Sequence, residues 1–518
     1  MSDFLSNPRV TFNLVERDQI VGLEDHQALL VGQMTDGTAS AGALTKDVPR
    51  TVAEINALFG KDSHIAMVAR AFREINPYTK VDAIALEDAG GGTAATASIQ
   101  ASGEATAAAS IWVSVVSKQN YRYKIDVEDG DDPADIIGKI TSAINAGTDD
   151  RPFTSDEDGS PVDTITFTAA NDGTIANDWL LMIEGAVPGI SFTLTGWDSG
   201  ATDPSLSDIF DVVSNQRYQT IVWPGAYDTA ELETLLDGRK NVDNDVLEGR
   251  GFIYKNEAFA TVKATAAALN SSEIVLLNNE PTSESNVYEG PHIPEAPDVL
   301  CAKFAAARAL RFEDGLSITR VIATNAFDDQ FGGRHTASLP YFNTPILNVG
   351  QPHPGTGHSF AEQLELEGAG VTVIGRNRND NAIIVGQVVT TWLNDDAGNS
   401  DDTWKYLNWR DSHGVIREFF VLNFRQRFAQ YRLSTGDIVP GKAIATQDVL
   451  RSYAMKLYNE LTDDAITVAG RPARQYFGDN LQITLEPENR RAIVDADVPM
   501  VSQLGEILGS IKFSFNTA

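Results

Sequence analysis

The sequence predicts a mixed α/β fold, α+β overall, built on a discontinuous central α/β domain with a mainly parallel sheet. Three observations predict it. Apolar strand-like runs alternate with helical runs from His26 to Leu86 and again from Ser205 to Leu310. Between them, from Gly90 to Pro204, Gly, Thr, Ala, Ser and Asp dominate and short alternating runs appear, which reads as a β-rich inserted domain. Both chain ends carry period-2 apolar patterns and read as extended terminal strands. Alternation of strand and helix implies parallel strands with helices on both faces of the sheet.

The elements follow in order. The N-terminal arm, residues 1–25, places Val10, Phe12 and Leu14 on one side of an extended segment and Thr11 and Asn13 on the other. His26 to Gln33 (HQALLVGQ) is the first central strand. Thr51 followed three residues later by Glu54 has capping-box spacing and opens a helix with Ile55 and Leu58 on its apolar face. A second helix carries Ile65, Val68, Ala69, Phe72 and Ile75 at i, i+3, i+4 spacing, and KVDAIAL, Lys80 to Leu86, returns as a strand. The insertion, 90–204, holds the strands SIWVSVV, YRYKIDV, DTITFTA and SFTLTGW. A helix at Pro133 to Ala146 interrupts them, with Ile136, Ile137, Ile140 and Ile144 as its stripe.

The α/β rhythm then resumes with helix Leu206 to Asn215, strand TIVWP, helix Ala230 to Gly238, strand GFIYK, helix Ala258 to Asn270, strand EIVLL and helix Asp298 to Leu310. The central domain is thus expected at 26–89 and 205–345. A passage with Pro340, Pro345, Pro352, Pro354 and Gly355 leads to an α+β C-terminal domain at 346–504. There VTVIG and AIIVGQVVTTW read as strands, and Ile416 to Tyr431 and Gln447 to Leu461 as helices. In the second of these helices Leu450, Tyr453, Ala454, Leu457, Tyr458 and Leu461 follow the helical period. The C-terminal arm, 505–518, alternates Ile511, Phe513 and Phe515 with Lys512, Ser514 and Asn516. Chain ends fray unless tied down, so both arms call for sheets to join, those of neighbouring copies included.

Composition narrows the function. At 518 residues, 42% apolar and 22% charged, the chain has the make-up of a multi-domain globular protein. A net charge of −32 argues against nucleic acid or an anionic membrane as the main partner, because both are polyanions. The charge is uneven: from Val371 onward 16 Lys and Arg face 18 Asp and Glu, so nearly all of the excess lies in the first 370 residues. An acidic body with a near-neutral, Arg-bearing part suits docking of that part onto an acidic protein. Cys301, the single cysteine, lies in an apolar run and reads as a small core residue. MSDFLSNPRV lacks a secretory pattern and no apolar run reaches about 18 residues, so folding in the cytoplasm without a membrane anchor is expected.

No motif for chemistry holds up. Gly436 to Ala443, GDIVPGKA, spells G-x-x-x-x-G-K but has Ala443 where a Ser or Thr would hold magnesium, and Pro440 removes a backbone donor. The acidic turns Glu128 to Asp132 and Asp156 to Asp158 lack a calcium loop: with Thr154 as its first position, Ile165 stands where a bidentate Glu is needed. His353 and His358 have no local Cys or acidic residue to complete a metal site. No G-x-S-x-G run supports a hydrolase. The reading is therefore no catalytic residue, no cofactor and no metal. Arg417, Arg425, Arg427 and Arg432 lie around a helix rich in Phe419, Phe420, Leu422, Phe424 and Phe428. They form either a solvated face or a surface whose guanidinium forks pair with carboxylates of a partner.

The C-terminal third resembles the Mu-like family of contractile tail sheath proteins of tailed bacteriophages. The likeness rests on YRLSTGDIVPGKAIATQDVLRSYAMKLYNELTDDAI followed by PENRRAIVDADVPMVSQLGEILGSIKFSFNTA, with weaker echoes in GTIAND (Gly173 to Asp178), ALLVGQ and LFG (Leu58 to Gly60). The resemblance implies a virion protein, assembled in the host cytoplasm, that stacks as hexameric rings in a helical array around a tail tube, between a baseplate and a tail terminator. Contraction would drive the tube through the host envelope. It also implies that both arms add strands to neighbouring subunits through Val10, Phe12, Leu14, Ile511, Phe513 and Phe515. The last domain, with Arg417, Arg425, Arg427 and Arg432, would face the tube, and the insertion would face outward. The subtilisin-like label sometimes given to the central domain of such sheaths describes fold only. The competing readings are an α/β hydrolase, which needs a pocket with a Ser-His-Asp set, and a surface-layer protein, which needs a secretion signal.

Overall fold

The computed structural model describes residues 25–501, apart from 118–120, 148–149, 160–161, 214–215, 241–246, 279–292, 294, 317–340, 342–343, 350–357, 377–382, 437–441 and 464–466. Val10, Phe12, Leu14, Ile511, Phe513 and Phe515 therefore lie outside the described residues, as does most of the GDIVPGKA loop.

The chain enters the central sheet at β1 (Gln27–Gln33), whose Ala28, Leu29, Leu30 and Val31 are fully buried. A strand buried on both faces is what a parallel sheet requires, and it explains the unbroken apolar run. β2 (Leu44–Thr45) follows, then α1 (Val52–Phe59), where the Thr51 side chain accepts from the Glu54 N–H as the sequence spacing predicts. α2 (His64–Ile75) is capped by Ser63 in the same way, and β3 (Lys80–Leu86) pairs in parallel with β1 along its whole length.

Among the described residues the insertion is β apart from one α-helix and a 3-10 turn at Thr174–Ala176. Its strands are β4 (Ala94–Gly103), β5 (Ala109–Val116), β6 (Arg122–Val127), β7 (Phe153–Gly159), β8 (Val162–Asp172), β9 (Leu180–Glu184) and β10 (Ile190–Asp198), with α3 (Pro133–Asn145) after β6. They form two sheets, β10-β4-β8-β7 and β6-β5-β9. Ile136, Ile137, Ile140 and Ile144 of α3 are buried, and Phe153, Phe167, Trp179 and Trp197 make an aromatic cluster with ring centroids 5.3–6.4 Å apart. At its root Thr93 and Ala201 bridge through paired backbone hydrogen bonds of 3.0 and 3.1 Å, so the insertion leaves and re-enters the body at one point.

The body continues with β11 (Thr220–Val222), α4 (Ala230–Arg239), β12 (Gly251–Lys255), α5 (Phe259–Leu269), β13 (Ile274–Asn278), α6 (Pro297–Leu316), β14 (Pro345–Ile346), α7 (Phe360–Gly368), β15 (Val371–Arg376) and β16 (Ile383–Val385). Among the described residues nine strands make one sheet in the order β14-β16-β15-β13-β12-β11-β1-β3-β2, and β15, β13, β12, β11, β1 and β3 all run parallel. A Cβ added at Gly251 would meet Leu232 and Leu236 of α4, while the next residue, Phe252, touches Phe304 of α6. Successive strand residues point to opposite faces, so α4 and α6 cover the two sides. Cys301 is fully buried on α6, a core residue as its apolar run indicates.

Two expectations shift. The expected helix at 206–215 is only a 3-10 turn at Asp211–Val213, because Ile209, Phe210 and Val213 bury themselves without a longer helical stripe. β14, β15 and β16 belong to the central sheet, so that sheet runs past the expected boundary at residue 345. The last region holds α8 (Leu407–Phe428), β17 (Arg432–Leu433), β18 (Ile444–Ala445), α9 (Gln447–Asp463), α10 (Arg471–Asn480) and the hairpin β19 (Gln482–Glu486) and β20 (Arg491–Asp495). Leu450, Ala454, Tyr458, Phe477, Leu481 and Ile483 form a small core of their own there.

Candidate functional site

In an open parallel sheet the customary ligand crevice lies beyond the carboxyl ends of the strands, where the strand order reverses, here between β1 and β11. That crevice is filled by the root of the insertion. Gln33, the last residue of β1, donates to Asp88 Oδ1 at 2.6 Å and to the Asp172 carbonyl at 2.7 Å, and accepts from the Tyr227 hydroxyl at 2.8 Å. Asn171 donates to Asp88 and to the Met34 carbonyl, and its oxygen takes the first N–H of α2. One His–acid pair sits here: His64 Nε2 lies 2.9 Å from Asp298 Oδ2, and Asp298 Oδ1 accepts from the Gly225 N–H. A hydrolytic triad needs a nucleophile on the other ring nitrogen. His64 Nδ1 has no hydrogen-bond partner among the described residues and faces Gly32, where an added Cβ would come within 2.6 Å of it. The arrangement ties the insertion to the body, and among the described residues no nucleophile reaches that nitrogen.

The opposite end of the sheet carries the densest electrostatics. Charged residues stand just before the buried strands: Arg217 before β11, Glu248 and Arg250 before β12, Glu273 before β13. Arg308 joins from α6, and Arg410, Asp411, Arg417 and Glu418 come from α8. Arg410 binds Glu273 Oε1 through Nε at 2.8 Å and Glu248 Oε2 through Nη1 at 3.1 Å. Arg308 donates to Asp411 Oδ2 at 2.6 Å, and the Tyr341 hydroxyl donates to the same oxygen at 2.7 Å. Arg250 pairs with Glu273 and Asp411, Arg217 with Glu418, and Arg417 with Glu248 at 2.6 Å. All but Arg417 are under 9% exposed.

Burial alone would raise the Glu248 carboxyl, but Arg410, Arg250 and the bond from Arg417 outweigh it and hold it at about 2. Asp411 is lowered in the same way: Arg308 and Arg250 overcome its burial. His413 goes the other way, pushed down to about 4 by burial and by Arg410, so it is neutral near pH 7. A buried charge is tolerated only when paired and hydrogen-bonded, and here guanidinium forks meet that condition.

Of the four arginines singled out in the sequence, Arg417 is thus tied into this joint, whereas Arg425, Arg427 and Arg432 are exposed at the far end of α8 and beyond it. His358 approaches Asn278 at 3.3 Å, and the turn at Glu128 to Asp132 is held by Asp131, which accepts from the Glu128 N–H and pairs with Lys139. No group of three or more potential metal ligands occurs among the described residues, and no helix among them is long and apolar enough to cross a membrane. The ionic joint escaped sequence reasoning. Its signal was present in charges abutting the apolar strands, as in EGRGFIYK and SSEIVLL, and in the charged first half of α8.

No family model matches the chain. It is 23% identical over 446 residues to the Mu-like prophage FluMu tail sheath protein of Haemophilus influenzae, a match covering 84% of this chain and 82% of that protein. Over most of its length the chain is thus similar to a Mu-like tail sheath protein. Such relatives are structural proteins and not enzymes, in keeping with the absence of catalytic motifs read from the sequence. A solved sheath tail protein of Listeria innocua is 12% identical, the match covering 93% of this chain and 94% of that one, with a TM-score of 0.46.

Proposed function

We propose that the chain is the structural subunit of a phage contractile tail sheath. The match to a tail sheath protein over 84% of the chain carries this reading. The architecture supports it by placing two unlike parts at opposite ends of one sheet. The insertion, with 18 Asp and Glu against 5 Lys and Arg between Gly90 and Pro204, leaves from the carboxyl ends of the strands. The near-neutral C-terminal part docks through α8 at their amino ends. In the assembly the insertion faces outward, and Arg425, Arg427 and Arg432 face an acidic tail tube. The subunits stack as hexameric rings between baseplate and terminator, in the tail of a virion assembled in the host cytoplasm. Contraction drives the tube through the host envelope and draws on a metastable lattice rather than a nucleotide.

The arms link the rings. Extended segments that alternate Val10, Phe12 and Leu14, or Ile511, Phe513 and Phe515, add to a neighbour's sheet by main-chain hydrogen bonds, and their apolar side fixes the register. The hairpin β19–β20 offers a receiving edge, since all five residues of β20 are exposed. Electron microscopy of the full chain beside a version lacking residues 505–518 tests this. Rings or tubes from the full chain alone are expected. Compact monomers from both at high concentration would remove arm-driven assembly.

A further inference from the structure

Gly414 stands in the interior of α8, where glycine is the poorest helix former after proline. Its backbone is not in the left-handed region, so the helix itself does not need a glycine there. The space beside it is narrow. A Cβ at Gly414 would stand 3.3 Å from Glu248 Oε2 and 3.6 Å from Arg250 Nη2. This side of the helix borders a cavity of about 10 Å³ walled by Arg217, Glu248, Arg250, Arg308 and Asp411. Two guanidinium donors of residues in that wall, Arg250 Nε and Arg308 Nε, have no hydrogen-bond partner among the described residues, although both residues are only 3% exposed. Arg250 Nε lies 3.1 Å from Asp411 Oδ1, in an ion pair out of line for a hydrogen bond.

A buried N–H left without an acceptor is costly, and such groups in native proteins usually meet ordered water. An occupant of this cavity that satisfies the two Nε–H groups must accept from them. Because Glu248 and Asp411 also wall it, the occupant must donate to carboxylate oxygens as well. Water does both. A halide could only accept and would face two carboxylates, and a metal cation would face three arginines. A cavity of about 10–15 Å³ is the size that admits one water, given two to four polar partners.

We propose that one buried water completes the ionic joint between α8 and the central sheet, and that Gly414 is the residue whose missing side chain leaves room for it. The joint is then hydrated by design: its guanidinium and carboxylate groups share a single solvent molecule.

The test is a high-resolution structure of the full chain crystallised in bromide, with thermal midpoints of Gly414→Ala and of Gly138→Ala as a control. At Gly138, in the interior of α3, an added Cβ meets nothing within 4 Å, so alanine should raise the midpoint or leave it unchanged. Gly414→Ala should lower it by several degrees despite the gain in helix propensity. A density peak within hydrogen-bond reach of Arg250 Nε and Arg308 Nε, without bromide scattering, supports the water. A rise in midpoint for Gly414→Ala equal to that of Gly138→Ala overturns the proposal. So does an empty cavity in a map that shows other buried waters, or a bromide signal, which would assign the site to an anion. If Gly414→Ala does not fold, the map of the unaltered chain decides alone.

Discussion

Asp411 is where three partners meet: it accepts from Arg308 and Tyr341 and pairs with Arg250, all of them buried. Removing one member of such a set leaves unpaired guanidinium groups in a low-dielectric setting, a loss of about 3–5 kcal/mol for buried pairs. We expect Asp411→Ala to destabilise the body by that order, read as loss of hydrogen-exchange protection in β11 to β13 and α8. Protection equal to that of the unaltered chain would show that solvent reaches the joint. Glu248 adds a pH dependence. Its folded value of about 2 lies below the usual carboxylate range, so its contribution is fully present above about 4.5 and fades as pH falls toward 2. That displacement corresponds to about 3 kcal/mol. The stability gap between the unaltered chain and Glu248→Gln should therefore narrow steadily in melts between pH 5 and pH 2.5; a gap that stays constant would mean the arginines do not hold this carboxyl down.

At the scale of elements, α8 is a shaft with two differently made halves. Arg410, Asp411, Arg417 and Glu418 fix its first half to the sheet. Phe420, Phe424 and Phe428, four residues apart and so on one face, set the second half between the main core and the small C-terminal one: Phe424 and Phe428 meet Tyr453 of the main core at 5.4 and 5.3 Å, and Phe420 meets Phe477 of the small one at 6.3 Å. This explains what was legible. The expected helix at Ile416 to Tyr431 caught only the aromatic half, because an apolar period marks a helix only where its buried face is apolar, and the first half buries charge. α9, with a clean stripe, was placed from its first residue, and β1, β3, β12 and β13 were legible because parallel strands buried on both faces leave unbroken apolar runs. α7 and α10 passed unread: each is short, with one buried apolar residue, Leu366 or Phe477. Phe477 is fully buried and stacks on Tyr458 at 4.4 Å, so Phe477→Ala should cost about 3–5 kcal/mol. Since this core shares only the partly buried Phe420, Phe424, Phe428 and Val498 with the main one, the loss should fall mainly on α10 and the β19–β20 hairpin, seen as faster hydrogen exchange there. Equal acceleration in β1 and β13 would mean that the two cores melt as one.

The whole molecule is a parallel sheet with a different appendage at each end, and the two are joined to it by different physics. The C-terminal part is bound by many buried ion pairs drawn from several segments. The insertion is bound by a neutral and acidic hydrogen-bonding cluster around Asp88, Asn171 and Gln33, and its strands enter and leave side by side at Thr93 and Ala201. Because those two residues already bridge, replacing 94–200 with a short Gly-Ser turn closes the chain without moving either end. The sheet keeps every one of its strands, since β4 to β10 pair only among themselves. What is lost is the Asn171 oxygen that takes the first N–H of α2, the partners of Gln33 and Asp88 at the crevice, the Asp150 partner of Arg70 on α2, and the apolar contacts by which the insertion shares one core with the body. Loss of a helix N-terminal acceptor costs about 1 kcal/mol, small beside the burial that holds β1, β3 and β11. The shortened chain should therefore fold with an unchanged far-ultraviolet contribution from the α/β body and should still form rings or tubes under the electron microscope. Assembly that fails although the body folds would place a subunit contact on the insertion, and the outward-facing role proposed for it would have to be given up.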